Sequence, residues 1–85
     1  MSRPGKHSLT LLGHRTSVSL EPAFWDAFRD LAARDDIALN VLATRIDKER
    51  GTQMGLACAI RLYVLQRLQD ELAARPPLAL SQNEG

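Results

Sequence analysis

The stretch that most constrains this chain is His14–Leu20, His-Arg-Thr-Ser-Val-Ser-Leu, followed at once by Glu21-Pro22. It alternates polar and apolar and is rich in β-branched and small hydroxyl residues, the pattern of a half-buried strand. Successive strand side chains point to opposite faces. Thr16, Val18 and Leu20 therefore share one face, suited to burial. Arg15, Ser17 and Ser19 share the other, a cation flanked by short hydrogen-bonding groups. The chain downstream reads as helical, so the strand is expected to lack a partner in its own chain. A lone strand leaves a row of unpaired N–H and C=O groups. Pairing with the same strand of a second copy satisfies them, and this predicts a homodimer.

Eighty-five residues make one small domain, at a size where a single core is only marginally sufficient. That again favours a core shared between subunits. The one cysteine, Cys58, gives no sign of an oxidising compartment and reads as a packed thiol. With no long apolar run and no leader pattern, the expectation is a cytoplasmic protein with no membrane partner. The formal net charge is only +1, yet its distribution is uneven. Residues 1–20 hold Arg3, Lys6 and Arg15, with His7 and His14, and no acidic residue. The remainder carries eight basic residues against ten acidic ones. Positive charge is thus gathered on the strand and the stretch leading into it.

Residues 1–7 read as a flexible basic arm. Ser8–Leu12 is either a separate strand or the start of one long strand kinked at Gly13. Pro22 suits the first turn of a helix running to about Arg34, with Phe24, Phe28, Leu31 and Ala32 in one stripe and Trp25 on its flank. Asp35-Asp36 ends it. A second helix starts near Ala38–Asn40 and buries Leu39, Leu42, Ala43 and Ile46. Its outer face is charged through Arg45, Asp47, Lys48, Glu49 and Arg50. Thr52 is the expected cap of a third helix. That helix runs to Arg75 with a stripe of Leu56, Ile60, Tyr63, Val64, Leu68 and Leu72, widened by Leu62 and Leu65. Such a stripe is longer than a two-helix core covers, and it predicts packing across a dimer or into a larger assembly. Pro76-Pro77 stops the helix, which leaves residues 76–85 as a loose tail and 8–75 as the domain.

Arg15-Thr-Ser-Val-Ser-Leu-Glu-Pro22, then Phe24-Trp25-Asp26-Ala27-Phe28, Leu31-Ala32 and Leu39-Asn40, resembles the ribbon-helix-helix DNA-binding proteins. The likeness is to a bacterial branch in which Gly-His-Arg-Thr-Ser-Val-Ser-Leu-Glu forms the strand and a further C-terminal helix follows. It covers roughly residues 8–68. The resemblance implies a mainly α fold with one short β-strand. Two chains intertwine as a homodimer whose strands form an intermolecular antiparallel ribbon, and a long third helix follows. The ribbon enters the major groove of double-stranded DNA. By the same resemblance Arg15, Ser17 and Ser19 contact bases, and Leu39 and Asn40, at the start of the second helix, contact the DNA backbone. Thr16, Val18, Leu20, Trp25 and Phe28 make the dimer core. Two departures stand out: Asp36 occupies a turn where the family commonly has Gly, and Ala38 a cap where it has Ser or Thr. Arg3, Lys6, His14 and His7 are therefore further candidates for backbone anchoring.

No catalytic motif, metal-ligand spacing or cofactor loop is present in the sequence, so no enzyme and no cofactor is expected. The leading functional reading is a sequence-specific transcriptional regulator. One alternative is an antitoxin-type DNA-binding protein with a protein partner. Another is a module that binds no DNA and serves oligomerisation or a small anionic ligand.

Overall fold

A computed structural model describes residues 3–74. Two strands, β1 (Gly5–Leu11) and β2 (His14–Leu20), precede three helices, α1 (Pro22–Arg34), α2 (Leu39–Glu49) and α3 (Leu56–Ala74).

The first finding corrects the expectation of a strand without a partner in its own chain. β2 pairs antiparallel with β1, with Leu11 opposite His14 and Gly5 opposite Leu20. The fold thus has two strands per chain rather than one, and the two-stranded ribbon is closed within a single copy. The turn is Leu12-Gly13, whose φ angles are 52° and 82°. Two central residues with positive φ make a type I′ turn, whose twist matches that of the flanking strands. Glycine adopts this freely, whereas Leu12 must enter the left-handed region that Cβ disfavours. β1 also begins at Gly5, so Lys6 and His7 belong to the strand and the arm is shorter than residues 1–7.

The helices begin and end for local reasons. Pro22 stands in the first turn of α1, where a missing N–H costs nothing. At its end the Asp36 N–H donates to the Ala33 carbonyl at 3.1 Å, and the Ile37 N–H to that of Ala32 at 3.0 Å. This is a complete Schellman closure, with Asp36 at φ 56° where glycine is usual. Ala38 precedes α2 with no side-chain cap. Thr52 does not cap α3, which starts four residues later at Leu56. Instead Arg50 organises the connection: its guanidinium donates to Asp47 and to the carbonyls of Gly51 and Met54.

One core gathers residues from every element. Leu9, Val18 and Leu20 come from the sheet, Phe28, Leu31 and Ala32 from α1, Leu42, Ala43 and Ile46 from α2, and Ala59, Ile60 and Val64 from α3. Val18, Leu20 and Phe28, expected in a shared dimer core, are buried within one chain. Thr16 and Trp25 are partly buried. α3 departs from its expected single stripe: Ile60 and Val64 are buried, but Leu68 and Leu72 are exposed together with Leu62 and Leu65. The helix is apolar on two sides, and one chain covers only one of them.

Salt bridges tie α3 back to the rest. Arg67 holds Asp35 through two hydrogen bonds of 2.6 and 3.0 Å and donates to the Tyr63 hydroxyl. Arg34 meets Glu71 at 2.7 Å. Exposed pairs of this kind contribute little singly, but here they form a network around the end of α1. Among the described residues no helix is long and apolar enough to cross a membrane. The expected tail at 76–85 lies outside the described residues.

Candidate nucleic-acid interface

The ribbon has two unlike faces because both strands alternate in phase across the register. On the inner face are His7, Leu9 and Leu11 from β1, with Thr16, Val18 and Leu20 from β2. On the outer face the pairing sets Lys6 beside Ser19, Ser8 beside Ser17, and Thr10 beside Arg15. All six outer residues are exposed. The face therefore consists of two cations and four hydroxyls, without an acidic group.

Sequence reasoning named Arg15, Ser17, Ser19 and Lys6, and the register brings these four together. It missed Ser8 and Thr10. Their signal was present, since Ser8 and Thr10 alternate with Leu9 and Leu11 at period two. Without knowledge of the turn, nothing aligned them with β2.

The remaining expected residues fall elsewhere. Arg3 is exposed just before β1. His14 is exposed at the hairpin end but belongs by alternation to the inner face, away from Arg15. His7 is half-buried and stacks on Trp25, with ring centroids 4.0 Å apart and planes within 8°. That stacking sets His7, expected as a further candidate for backbone anchoring, on the inner face of the ribbon. Leu39 and Asn40 stand in the first turn of α2 as expected. Asn40, however, is engaged: its Oδ1 accepts the backbone N–H of Thr10 at 3.0 Å.

That bond also orients the ladder. The Thr10 N–H points away from β2, and backbone groups of an antiparallel pair alternate between inward and outward. The N–H and C=O groups of Arg15, Ser17 and Ser19 accordingly lie on the outer edge of β2. The Ser19 carbonyl agrees, because it accepts from Arg61 Nη2 of α3 at 3.3 Å. Beyond that contact the β2 edge is open among the described residues.

The electrostatics separate the two sides of the molecule. Arg34, Arg50, Arg61 and Arg67 are each paired with a carboxylate. Lys6 and Arg15 have no ion-pair partner among the described residues. Glu21 stands at the end of the ribbon, and its carboxylate is bonded by Arg61 at 2.9 and 3.2 Å. The Arg61 hydrogen bonds hold its pKa below the ordinary carboxylate value. Asp35 is likewise held low by Arg67, so its charge is offset near the start of α2. Among the described residues no cluster of His, Cys, Asp or Glu could hold a metal ion.

What this surface can do is donate and accept hydrogen bonds across a narrow, positively charged strip. No curated protein and no solved structure matches the chain. A family model, described as "Ribbon-helix-helix domain", matches residues 4–68, from just before β1 through most of α3. That span includes both strands, α1 and α2 in the observed order, and the chain belongs to the ribbon-helix-helix family.

Proposed function

We propose that the chain is a homodimeric, sequence-specific DNA-binding transcriptional regulator whose ribbon reads the major groove through the outer face. One observation carries this reading: the register joins Lys6, Ser8 and Thr10 to Arg15, Ser17 and Ser19 in a single acid-free face. Family membership supports it, since ribbon-helix-helix domains are typically DNA-binding regulators or antitoxins. Arg15 has the donors for guanine O6 and N7, and the serine hydroxyls can donate to or accept from several base edges.

The open β2 edge supports the dimer. Antiparallel pairing of two β2 strands about Ser17 sets Arg15 of one copy against Ser19 of the other and Thr16 against Val18. Polar residues stay on one face and apolar residues on the other. The major groove is about 12 Å wide and admits a two-stranded ribbon. The two β2 strands then occupy its centre, and the β1 strands lie outward, toward the phosphates. The uncovered leucines of α3 are proposed to pack across the same dimer.

The test is DNA affinity against salt, using the region upstream of the gene and an unrelated duplex. Wild type is compared with the Arg15→Ala, Ser17→Ala, Ser19→Ala variant. Selective binding by wild type, lost in the folded variant, supports the reading, at about 1–3 kcal/mol of discrimination for each good base contact. A folded wild type without salt-sensitive affinity for any duplex, including a selected random pool, refutes it.

A further inference from the structure

Beside the ribbon, a groove of about 460 Å³ separates the outer edge of β1 from the exposed side of α2. Thr10, Asn40, Thr44, Arg45 and Lys48 supply its polar lining. Leu12 and Val41, which are 71% and 51% exposed, supply its apolar part. Val41, Thr44, Arg45 and Lys48 recur three or four residues apart, so they share one side of α2. Thr10 belongs both to this groove and to the outer face of the ribbon, which makes the two surfaces continuous.

The chemistry of the groove suits an anion. Arg45 and Lys48 are exposed and have no ion-pair partner among the described residues. The neighbouring carboxylate of Asp47 is bound by Arg50. Asp35, which also feels the charge of Arg45, is bound by Arg67. Asn40 adds donors: its Oδ1 is fixed on the Thr10 N–H, so its NH₂ group remains to donate. The Thr44 hydroxyl donates its one proton to the Asn40 carbonyl and so lines the groove without binding the anion. Two cations with no ion-pair partner among the described residues and one amide donor are thus set around an apolar floor. A sugar-phosphate strand presents the complementary sequence of charged oxygens and apolar sugar.

We propose that this groove is a clamp for the phosphodiester backbone of the duplex whose bases meet the ribbon, held by Arg45 and Lys48. It rests on the DNA-binding reading and adds Arg45 and Lys48 to the backbone contacts expected at the start of α2. Phosphate contacts position a protein and carry no sequence information directly. The clamp therefore acts equally on every sequence, unlike Arg15, Ser17 and Ser19.

The experiment measures affinity against salt for wild type, Arg45→Ala/Lys48→Ala, and Arg29→Ala, an arginine of α1 that has no ion-pair partner among the described residues and does not line the groove. The probes are a duplex selected from a random pool by wild type and a scrambled duplex of the same composition. Loss of two phosphate contacts lowers the slope of log affinity against log salt by about 1.8. The advantage of wild type over the double variant then shrinks about 12-fold between 50 and 200 mM salt. The expected result is that change on both duplexes, with their affinity ratio intact and Arg29→Ala unaltered. An unchanged slope in a double variant of native circular dichroism overturns the clamp while leaving the ribbon reading in place. A changed affinity ratio at constant slope also overturns it, because the two side chains would then read bases. Inorganic phosphate is titrated at constant ionic strength as a separate arm. Displacement of the duplex by millimolar phosphate identifies a pocket for the free anion and overturns the backbone assignment. Salt-independent binding by wild type itself removes the DNA reading, a result distinct from all of these.

Discussion

Asn40 Oδ1 accepts the backbone N–H of Thr10 at 3.0 Å, joining the outer edge of β1 to the first turn of α2 across thirty residues. One side chain thereby fixes the angle between the ribbon and the helix beside it. Asn40→Ala leaves that N–H to water, which offsets part of the loss. A destabilisation of about 1 kcal/mol is expected. Amide exchange at Thr10 should accelerate ahead of the core amides. Unaltered protection there would mean that core packing alone sets the angle.

Two positions hold left-handed backbone without glycine: Leu12 at φ 52° and Asp36 at φ 56°. Leu12 is 71% exposed, so replacing it sacrifices little burial. Leu12→Asn in the hairpin turn and Asp36→Gly at the end of α1 should each stabilise by about 1 kcal/mol. The urea midpoint would rise in both, with no change in slope. A fall at Leu12→Asn would show that the leucine makes contacts that outweigh its backbone cost.

Acid should loosen both ends of α1. Hydrogen bonds from Arg61 and Arg67 hold the carboxyls of Glu21 and Asp35 below their ordinary values. A carboxyl whose folded pKa is depressed stabilises the fold fully above its unfolded pKa, and that contribution disappears as pH falls through the folded value. Stability should accordingly decline below about pH 5. Arg61→Gln and Arg67→Gln should each flatten that decline. Identical acid limbs in wild type and both variants would assign the effect to other groups.

The uncovered side of α3 carries Leu62, Leu65, Leu68 and Leu72, of which the last three are spaced by three and then four residues. A seam of that spacing suits a like helix from a second copy. Leu65→Asp with Leu72→Asp should lower the mass measured by light scattering while the helical signal persists. An unchanged mass would place the contact between copies elsewhere, with the β2 edge the next surface to alter.

Much of the fold is legible because its signals are local. The Phe28, Leu31, Ala32 and Leu42, Ala43, Ile46 stripes mark α1 and α2, and alternation from His14 to Leu20 marks β2 and its exposed side. The hairpin is not legible, because a turn of this type advertises itself by Asn or Asp before Gly, and Leu12 stands in that place. β1 is legible only in part, as the possible strand Ser8–Leu12, because its start at Gly5 and Lys6 holds residues that strands seldom favour. His7 on Trp25, Asn40 on Thr10 and Arg61 on Glu21 each join distant stretches, so spacing carries no trace of them. α3 misleads for another reason. With leucines on more than one side, periodicity cannot say which side meets the core.

A ribbon closed by two residues within one chain also separates folding from assembly. The cost of closing so short a loop is small, and hairpins form in about 1–10 μs once their sequence permits. Formation of this ribbon is then a first-order event, with a rate independent of protein concentration. Strands that can pair only with another chain must instead fold and associate together. In the proposed dimer, copies would then meet as finished surfaces and exchange without unfolding, and docking equilibrium rather than the history of synthesis would set the composition of a mixed population.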